Sequence, residues 1–194
     1  MTKINRLVIH GFKSFANKTE LFFGNEYNCI LGPNGSGKSN IGDAICFVLG
    51  RTSAKSMRAE KSSNLLWNGG IKKKEPASKG FVSIHFDNSA KEFPVPEEEV
   101  VVSRIISKDG NSKYKLNGKT VTRNEILDTM SAARIYPDGY NIVLQGDITR
   151  FVEMPTTERR KIIEEISDIS VYEEKKHKAV LELAARKAGW GTPP

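Results

Sequence analysis

Two cysteines and three histidines in 194 residues leave little material for metal or disulfide chemistry. Cys29 and Cys46 lie on either side of a glycine-rich segment, one on an apolar run and one in a helical pattern. That placement suits small buried hydrophobes better than a disulfide or a metal pair. His10, His85 and His177 are scattered without ligand spacing, so no structural metal is expected. No apolar run approaches the roughly 20 residues that cross a bilayer. The opening Met1-Thr2-Lys3-Ile4-Asn5-Arg6 leads into an alternating strand pattern and has no secretion-signal core, which points to a cytoplasmic chain with no membrane partner. Acidic residues are also in deficit, 23 against 30 lysines and arginines, for a net charge of +7. Such an excess favours polyanions, but a generic basic surface produces it too. The 38% hydrophobic and 27% charged content is that of a globular domain, and the length suffices for one packed core.

Against these absences stands one complete motif. Residues Gly32-Pro33-Asn34-Gly35-Ser36-Gly37-Lys38-Ser39 spell a G-x-x-x-x-G-K-[ST] phosphate-binding loop. The apolar run Tyr27-Asn28-Cys29-Ile30-Leu31 before it reads as a buried strand. After it, from Asn40, apolar residues recur at helical spacing and stop at Gly50. The glycines let successive backbone N–H groups turn inward toward phosphate oxygens, and the helix terminus adds partial positive charge. Lys38 would reach the β- and γ-phosphates and the Ser39 hydroxyl would ligate Mg²⁺. A nucleoside triphosphate is the expected ligand.

The rest of the chain frames this loop. Residues 4–9 and 19–23 read as strands, and two strands before the nucleotide strand suit a mixed sheet beside a P-loop core better than the simplest doubly wound order. A polar stretch, 51–61, reads as a loop with short helical turns, and Lys72-Lys73-Lys74-Glu75-Pro76 as an exposed insertion. Strands are expected at 80–86, 99–106 and 113–116, with Asp109-Gly110 and Asn117-Gly118 as tight turns. Thr122-Arg123-Asn124-Glu125 has capping-box form and predicts a helix through Met130. A short strand is expected at 141–144. From Met154-Pro155-Thr156 a long helical region follows, with Ile162, Ile163, Ile166, Ile169 and Tyr172 at three- and four-residue steps among alternating charges. These boundaries suggest a lobe over 1–154, the start of a coiled-coil helix over 155–188, and a truncation or appended tail over 189–194.

Several of these segments together resemble the amino-terminal half of the ATPase head of SMC (structural maintenance of chromosomes) proteins, ABC-type ATPases of archaeal and bacterial condensin-like complexes. Gly11-Phe12-Lys13-Ser14-Phe15 resembles the family's Phe-Lys-Ser-Phe element. Leu31 to Gly50 resembles its extended nucleotide loop, Ser53 to Arg58 its arginine loop, and Gln145-Gly146-Asp147-Ile148 its glutamine loop. Pro155, Glu158-Arg159-Arg160, Ile163-Glu164-Glu165 and Tyr172 resemble the start of its coiled coil, whereas Ile166-Ser167-Asp168-Ile169 departs from the small-residue stretch many members carry there.

The resemblance implies an α/β P-loop NTPase head of mixed sheets around a P-loop helix. It implies ATP and Mg²⁺ held by Lys13, Ser14, residues 32–40, Arg58 and Gln145. Within that set Lys38 and Gln145 act in catalysis, Ser39 and Gln145 ligate the metal, and Asn34 meets the γ-phosphate across a dimer interface. No apolar strand ending in Asp-Glu (a Walker B element), no Leu-Ser-Gly-Gly signature and no histidine switch is present in this sequence. In the family these lie on the carboxy-terminal half of the head, so the resemblance implies half an active site. The implied partners are that carboxy-terminal half, a second head through an ATP sandwich, a kleisin-type subunit, and DNA bound without sequence preference, with Lys61 and Arg123 as contacts and a nucleoid location. Two other readings stand beside it. One is a split-head ABC ATPase of double-strand-break repair, against which the Glu158-Arg159-Arg160 run argues. The other is a self-contained P-loop kinase or GTPase, which would need its own Mg²⁺ carboxylate and, for guanine, an Asn-Lys-x-Asp. A purely architectural coiled-coil anchor conflicts with the intact loop.

Overall fold

The computed structural model describes residues 2–70, 75–137, 142–144, 154–157, 159–160 and 179–180. The chain divides into two units, 1–142 and 143–194. The first is built on a six-stranded sheet in the order β2-β1-β3-β4-β5-β6, antiparallel throughout. Its strands are β1 (Lys3–His10), β2 (Thr19–Phe22), β3 (Lys79–Asp87), β4 (Glu99–Ser107), β5 (Ser112–Leu116) and β6 (Lys119–Val121).

Period-2 alternation sets which side chains face the helices. Leu21, Leu7, Ile84, Val102 and Leu116 pair in register across five strands and form one inward row. Ile9, Val82, Arg104 and Tyr114 form the next. Helix α1 (Lys38–Val48) packs on β3 and β4 over this face, and α2 (Arg123–Ala132) packs on β5. Phe47, Val48, Ile126 and Met130 are fully buried there.

Local chemistry fixes the element ends. Asn117 (φ 47°) and Gly118 (φ 81°) form the left-handed pair of a two-residue hairpin turn between β5 and β6. The expected capping box is present: Glu125 N–H donates to Thr122 Oγ1, and Thr122 N–H donates to Glu125 Oε2 at 2.6 Å. Helix α1 ends at Gly50, whose φ of 108° suits a residue without a Cβ. Gly50 N–H bonds to Phe47 O and Arg51 N–H to Cys46 O, the crossed pair of a Schellman ending.

Two expectations are overturned before the phosphate loop. Residues 27–31 form no strand, and their side chains stand in the open, Tyr27 94% and Leu31 86% exposed. Among the described residues no strand lies beside them, and an apolar run becomes a buried strand only when a neighbour supplies ladder hydrogen bonds. Cys29, expected to be buried, is exposed for the same reason, while Cys46 is buried in α1 as expected. Residues 142–144 are likewise not extended into a strand. Lys72–Lys74, Gln145 and the apolar positions 162–172 lie outside the described residues. In the second unit, residues 156–157 and 159–160 are helical, and Arg159 donates from its backbone to Pro155 O and from Nη2 to Met154 O.

Candidate nucleotide-binding site

The phosphate loop runs straight into α1 with Gly37 as the N-cap, at φ 95°. No side chain caps this terminus and α1 has no acidic residue in its first turn. Its leading N–H groups and partial positive charge are therefore offered to an external anion. Ser36 N–H bonds to Pro33 O and Asn40 N–H to Gly37 O, which curls the loop. Lys38 folds back over it, donating from Nζ to Gly32 O and Pro33 O, both at 2.7 Å. A cation held over the loop by two neutral carbonyls is free to trade them for phosphate oxygens. Space exists for that: a Cβ added at Gly35 would meet nothing within 4 Å. Ser39 and Asn34 are exposed at this rim.

Three further segments converge on the same end of α1. The loop after β1 is anchored by Phe12, fully buried with its ring centroid 5.0 Å from that of Phe47. Lys13 N–H bonds to Leu65 O, which ties the loop to the 3₁₀ turn Ser62–Leu65. This brings Ser14 against the loop, where Asn40 Nδ2 donates to Ser14 Oγ at 2.9 Å. A Cβ at Gly37 would sit 2.6 Å from that same oxygen, so the close approach excludes any side chain there. The other 3₁₀ turn, Lys55–Met57, ends in Arg58 at φ 55° and turns its guanidinium back toward α1.

Asp43 joins these parts. It lies on the second turn of α1, its side chain is 2% exposed, and its Oδ2 accepts from Lys13 Nζ and, at 2.5 Å, from Arg58 Nη2. Lys13 Nζ also donates to Met57 O. The fold thus gathers Lys13, Ser14, Lys38, Ser39, Asn40 and Arg58 from distant sequence positions. Asp43 was missed as a site residue. The signal available in the sequence was an acid at an inward position of an otherwise apolar helical stripe.

The two residues expected to touch DNA part company. Lys61 is exposed, at the start of the Ser62–Leu65 turn. Arg123 is half-buried at the far end of α1, where Nε donates to Gly50 O at 2.7 Å. Given a helix length of roughly 16 Å, Arg123 belongs to the carboxyl end of α1 and not to the loop. Arg104 works beside it. Although 7% exposed, it spans Phe47 O (2.9 Å) and Arg51 O (2.7 Å) from Nη1, with its guanidinium 4.1 Å from the Phe47 ring centroid and 4.8 Å from that of Tyr114. The last turn of α1 has no basic residue of its own, so β4 and α2 supply the cations that its dipole favours.

Residues 3–154 match the family model described as the RecF/RecN/SMC N terminal domain. The chain belongs to this family. Within it, the chain is 52% identical over 184 residues to the chromosome partition protein Smc of Pyrococcus furiosus and 49% identical over 182 residues to that of Aquifex aeolicus. The alignments cover 94% and 93% of this chain but only 16% and 15% of those proteins. Among solved structures, the P. furiosus Smc head with an extended coiled coil, bound to the C-terminal domain of ScpA, superposes with a TM-score of 0.86 at 50% identity, over 97% of this chain and 48% of that one. A chain from a study of ATP-driven dimerization and DNA stimulated activation of SMC ATPases matches at TM-score 0.77 and 51% identity, over 84% of this chain and 98% of that one. The fold is therefore the amino-terminal part of an SMC head, an ABC-ATPase-like α/β unit. The repair-ATPase and stand-alone kinase or GTPase readings give way to it. No helix among the described residues is long and apolar enough to cross a membrane, and no group of three or more His, Cys, Asp or Glu side chains there could hold a metal ion.

Proposed function

We propose that this chain is the ATP-binding half of an SMC head, completed by a carboxy-terminal half to form a DNA-associated ATPase that acts in chromosome partition. The observation that carries this reading is the uncapped amino terminus of α1 behind a glycine loop, with Lys38 poised over it and Lys13, Ser14 and Arg58 gathered beside it. Phosphoryl transfer from ATP is mostly positioning and charge stabilisation. The loop N–H groups take the phosphates, Lys38 exchanges its two carbonyls for β- and γ-oxygens, and Arg58 adds a planar cationic fork. Ser39 is the ligand these residues offer to Mg²⁺, with Gln145 expected to be the second, and the ion would neutralise the β,γ charge.

The rest of the machinery would come from the carboxy-terminal half, because the sequence carries no apolar strand ending in Asp-Glu to supply the carboxylate that orients water. The exposed run 27–31, with Phe22 74% exposed at the edge strand β2, is the surface such a half would cover. A strand laid against Ile30 and Leu31 would turn that run into the buried strand its composition suits. ATP held between two such heads would join them, and hydrolysis would release them. The ScpA-bound P. furiosus head and its likeness to this chain support a kleisin partner. The basic excess, with Lys61 exposed, supports DNA contact through phosphates.

ATP turnover tests the proposal, measured for this chain alone, for a mixture with the carboxy-terminal half, and with Lys38→Ile in each. Silence alone and Lys38-dependent hydrolysis in the mixture is the expected outcome. Hydrolysis by the chain alone at an ordinary enzymatic rate would end the half-site reading.

A further inference from the structure

A buried carboxylate persists only when it is paired, and Asp43 is paired twice, to Lys13 and to Arg58. Both cations sit at left-handed backbone positions, φ 47° and 55°, which residues with a Cβ seldom adopt. Strain of this kind persists where the surrounding structure over-determines it, and it concentrates at functional sites. One negative and two positive charges leave a surplus cation beside the uncapped terminus of α1.

The two cations are not equivalent. The Lys13 side chain is 10% exposed and is held by a second acceptor, Met57 O. The Arg58 side chain is 42% exposed, and Asp43 is its one side-chain partner among the described residues.

We propose that Lys13 is the permanent counter-ion of Asp43, and that Asp43 is a positioning residue that parks Arg58 and releases it to the phosphates when ATP enters the loop. This inference rests on the reading of the loop as an ATP site. Release of Arg58 exchanges a carboxylate for a phosphate, two acceptors that suit the same guanidinium fork, and Asp43 stays neutralised by Lys13 throughout. Were Lys13 the phosphate ligand as well, nucleotide binding would strip Asp43 of both partners and leave a buried, unpaired charge. Lys13 therefore serves ATP through Asp43 and not by contact.

The test is steady-state ATP turnover by the full-length protein that carries this chain. Wild-type turnover that Lys38→Ile abolishes establishes the site, and failure at that step refutes the ATP reading itself. Lys13→Met leaves Arg58 as the only counter-ion of Asp43, so kcat should fall about tenfold, as in Arg58→Ala, with KM within about threefold of wild type. Lys13→Met combined with Asp43→Asn frees Arg58 again, and kcat should return to within about threefold of wild type. A double variant as slow as Lys13→Met, or slower, overturns the proposal, because a direct ligand could not be rescued by removing its partner. A loss of urea stability in Lys13→Met that the double variant restores in step with kcat marks a structural brace and overturns it too. Should Lys13→Met fail to unfold cooperatively, Asp43→Asn alone decides. With its two cations unneutralised, its affinity for ADP should rise about threefold or more, and a fall in that affinity overturns the proposal.

Discussion

Arg104→Met is the substitution that bears most directly on how the P-loop helix is held. The guanidinium stands in an inward row of the sheet between Val82 and Tyr114. It reaches the carboxyl end of α1 through two hydrogen bonds and covers the Phe47 ring. Burial lowers its pKa from the ordinary guanidinium value, yet a guanidinium stays charged in any accessible range. Hydrogen bonds from a charged donor contribute about 1.5–3 kcal/mol each, and a desolvated cation–π contact about 1–2 kcal/mol. Against this, methionine fills much of the space and removes the several kcal/mol that a buried charge costs. Phe47 O also keeps the Gly50 N–H. The net expectation is a loss of about 2–4 kcal/mol, which lowers Tm by roughly 4–16 °C for a domain of this size. Urea unfolding of the assembled head, followed by circular dichroism, reads it directly. Arg104→Lys, which keeps the charge and loses the fork, should fall between. An Arg104→Met head within about 0.5 kcal/mol of wild type would show that the far end of α1 does not need this cation, and the dipole argument would fail.

Iodoacetamide should alkylate exposed Cys29 quickly and spare buried Cys46, and a bound carboxy-terminal half should protect Cys29; undiminished labelling in the assembled head would place the docking surface elsewhere. Thr122→Ala should cost about 1 kcal/mol through loss of the N-cap bond, read by denaturant unfolding. Glu125 is held below its usual 4.5, first by the Thr122 backbone N–H and then by the Thr122 hydroxyl. A depressed folded pKa gives a contribution that is present above 4.5 and lost as pH falls through the folded value, so acid should weaken the cap and Glu125→Gln should remove that part of the pH dependence. Lys61→Ala should weaken DNA binding evenly across sequences and reduce the salt slope by about 1. Arg123→Gln should chiefly lower stability, because its guanidinium is already engaged at Gly50 O; a loss of DNA affinity from Arg123→Gln equal to that from Lys61→Ala, with Tm unchanged, would reverse those assignments.

What the sequence made legible was local. The glycine turn into α1, the Gly50 stop, the capping box and both hairpin turns are each decided within a few residues, and each stands where the pattern put it. The strand expected at 99–106 is present as Glu99–Ser107, and its alternation carried information that went unread: with Val100, Val102 and Ile106 inward, Arg104 had to be inward too. The Asp43 cluster was harder, because its partners are Lys13 and Arg58 on two other loops and no local rule joins them.

Residues 27–31 are a miss of another kind. Their composition is that of a buried strand, yet a strand is a property of a pair, and hydrophobic pattern cannot say whether the partner lies in the same chain. The exposure of Tyr27 and Leu31 beside a loop built to take phosphate therefore has a physical meaning. A segment with the sequence of a core strand is completed when a neighbouring strand pairs with it, and on the proposed reading the carboxylate that orients water comes from the same carboxy-terminal half. If one carboxy-terminal half supplies both the neighbouring strand and the acid, then weakening the docking surface should weaken catalysis with it. Leu31→Asp should raise the concentration of the carboxy-terminal half needed for half-maximal turnover by about tenfold or more, the equivalent of about 1.4 kcal/mol. Turnover at saturation should be far less affected. A loss of turnover at saturation without a shift in that concentration would separate the two, and the bare strand would need another explanation.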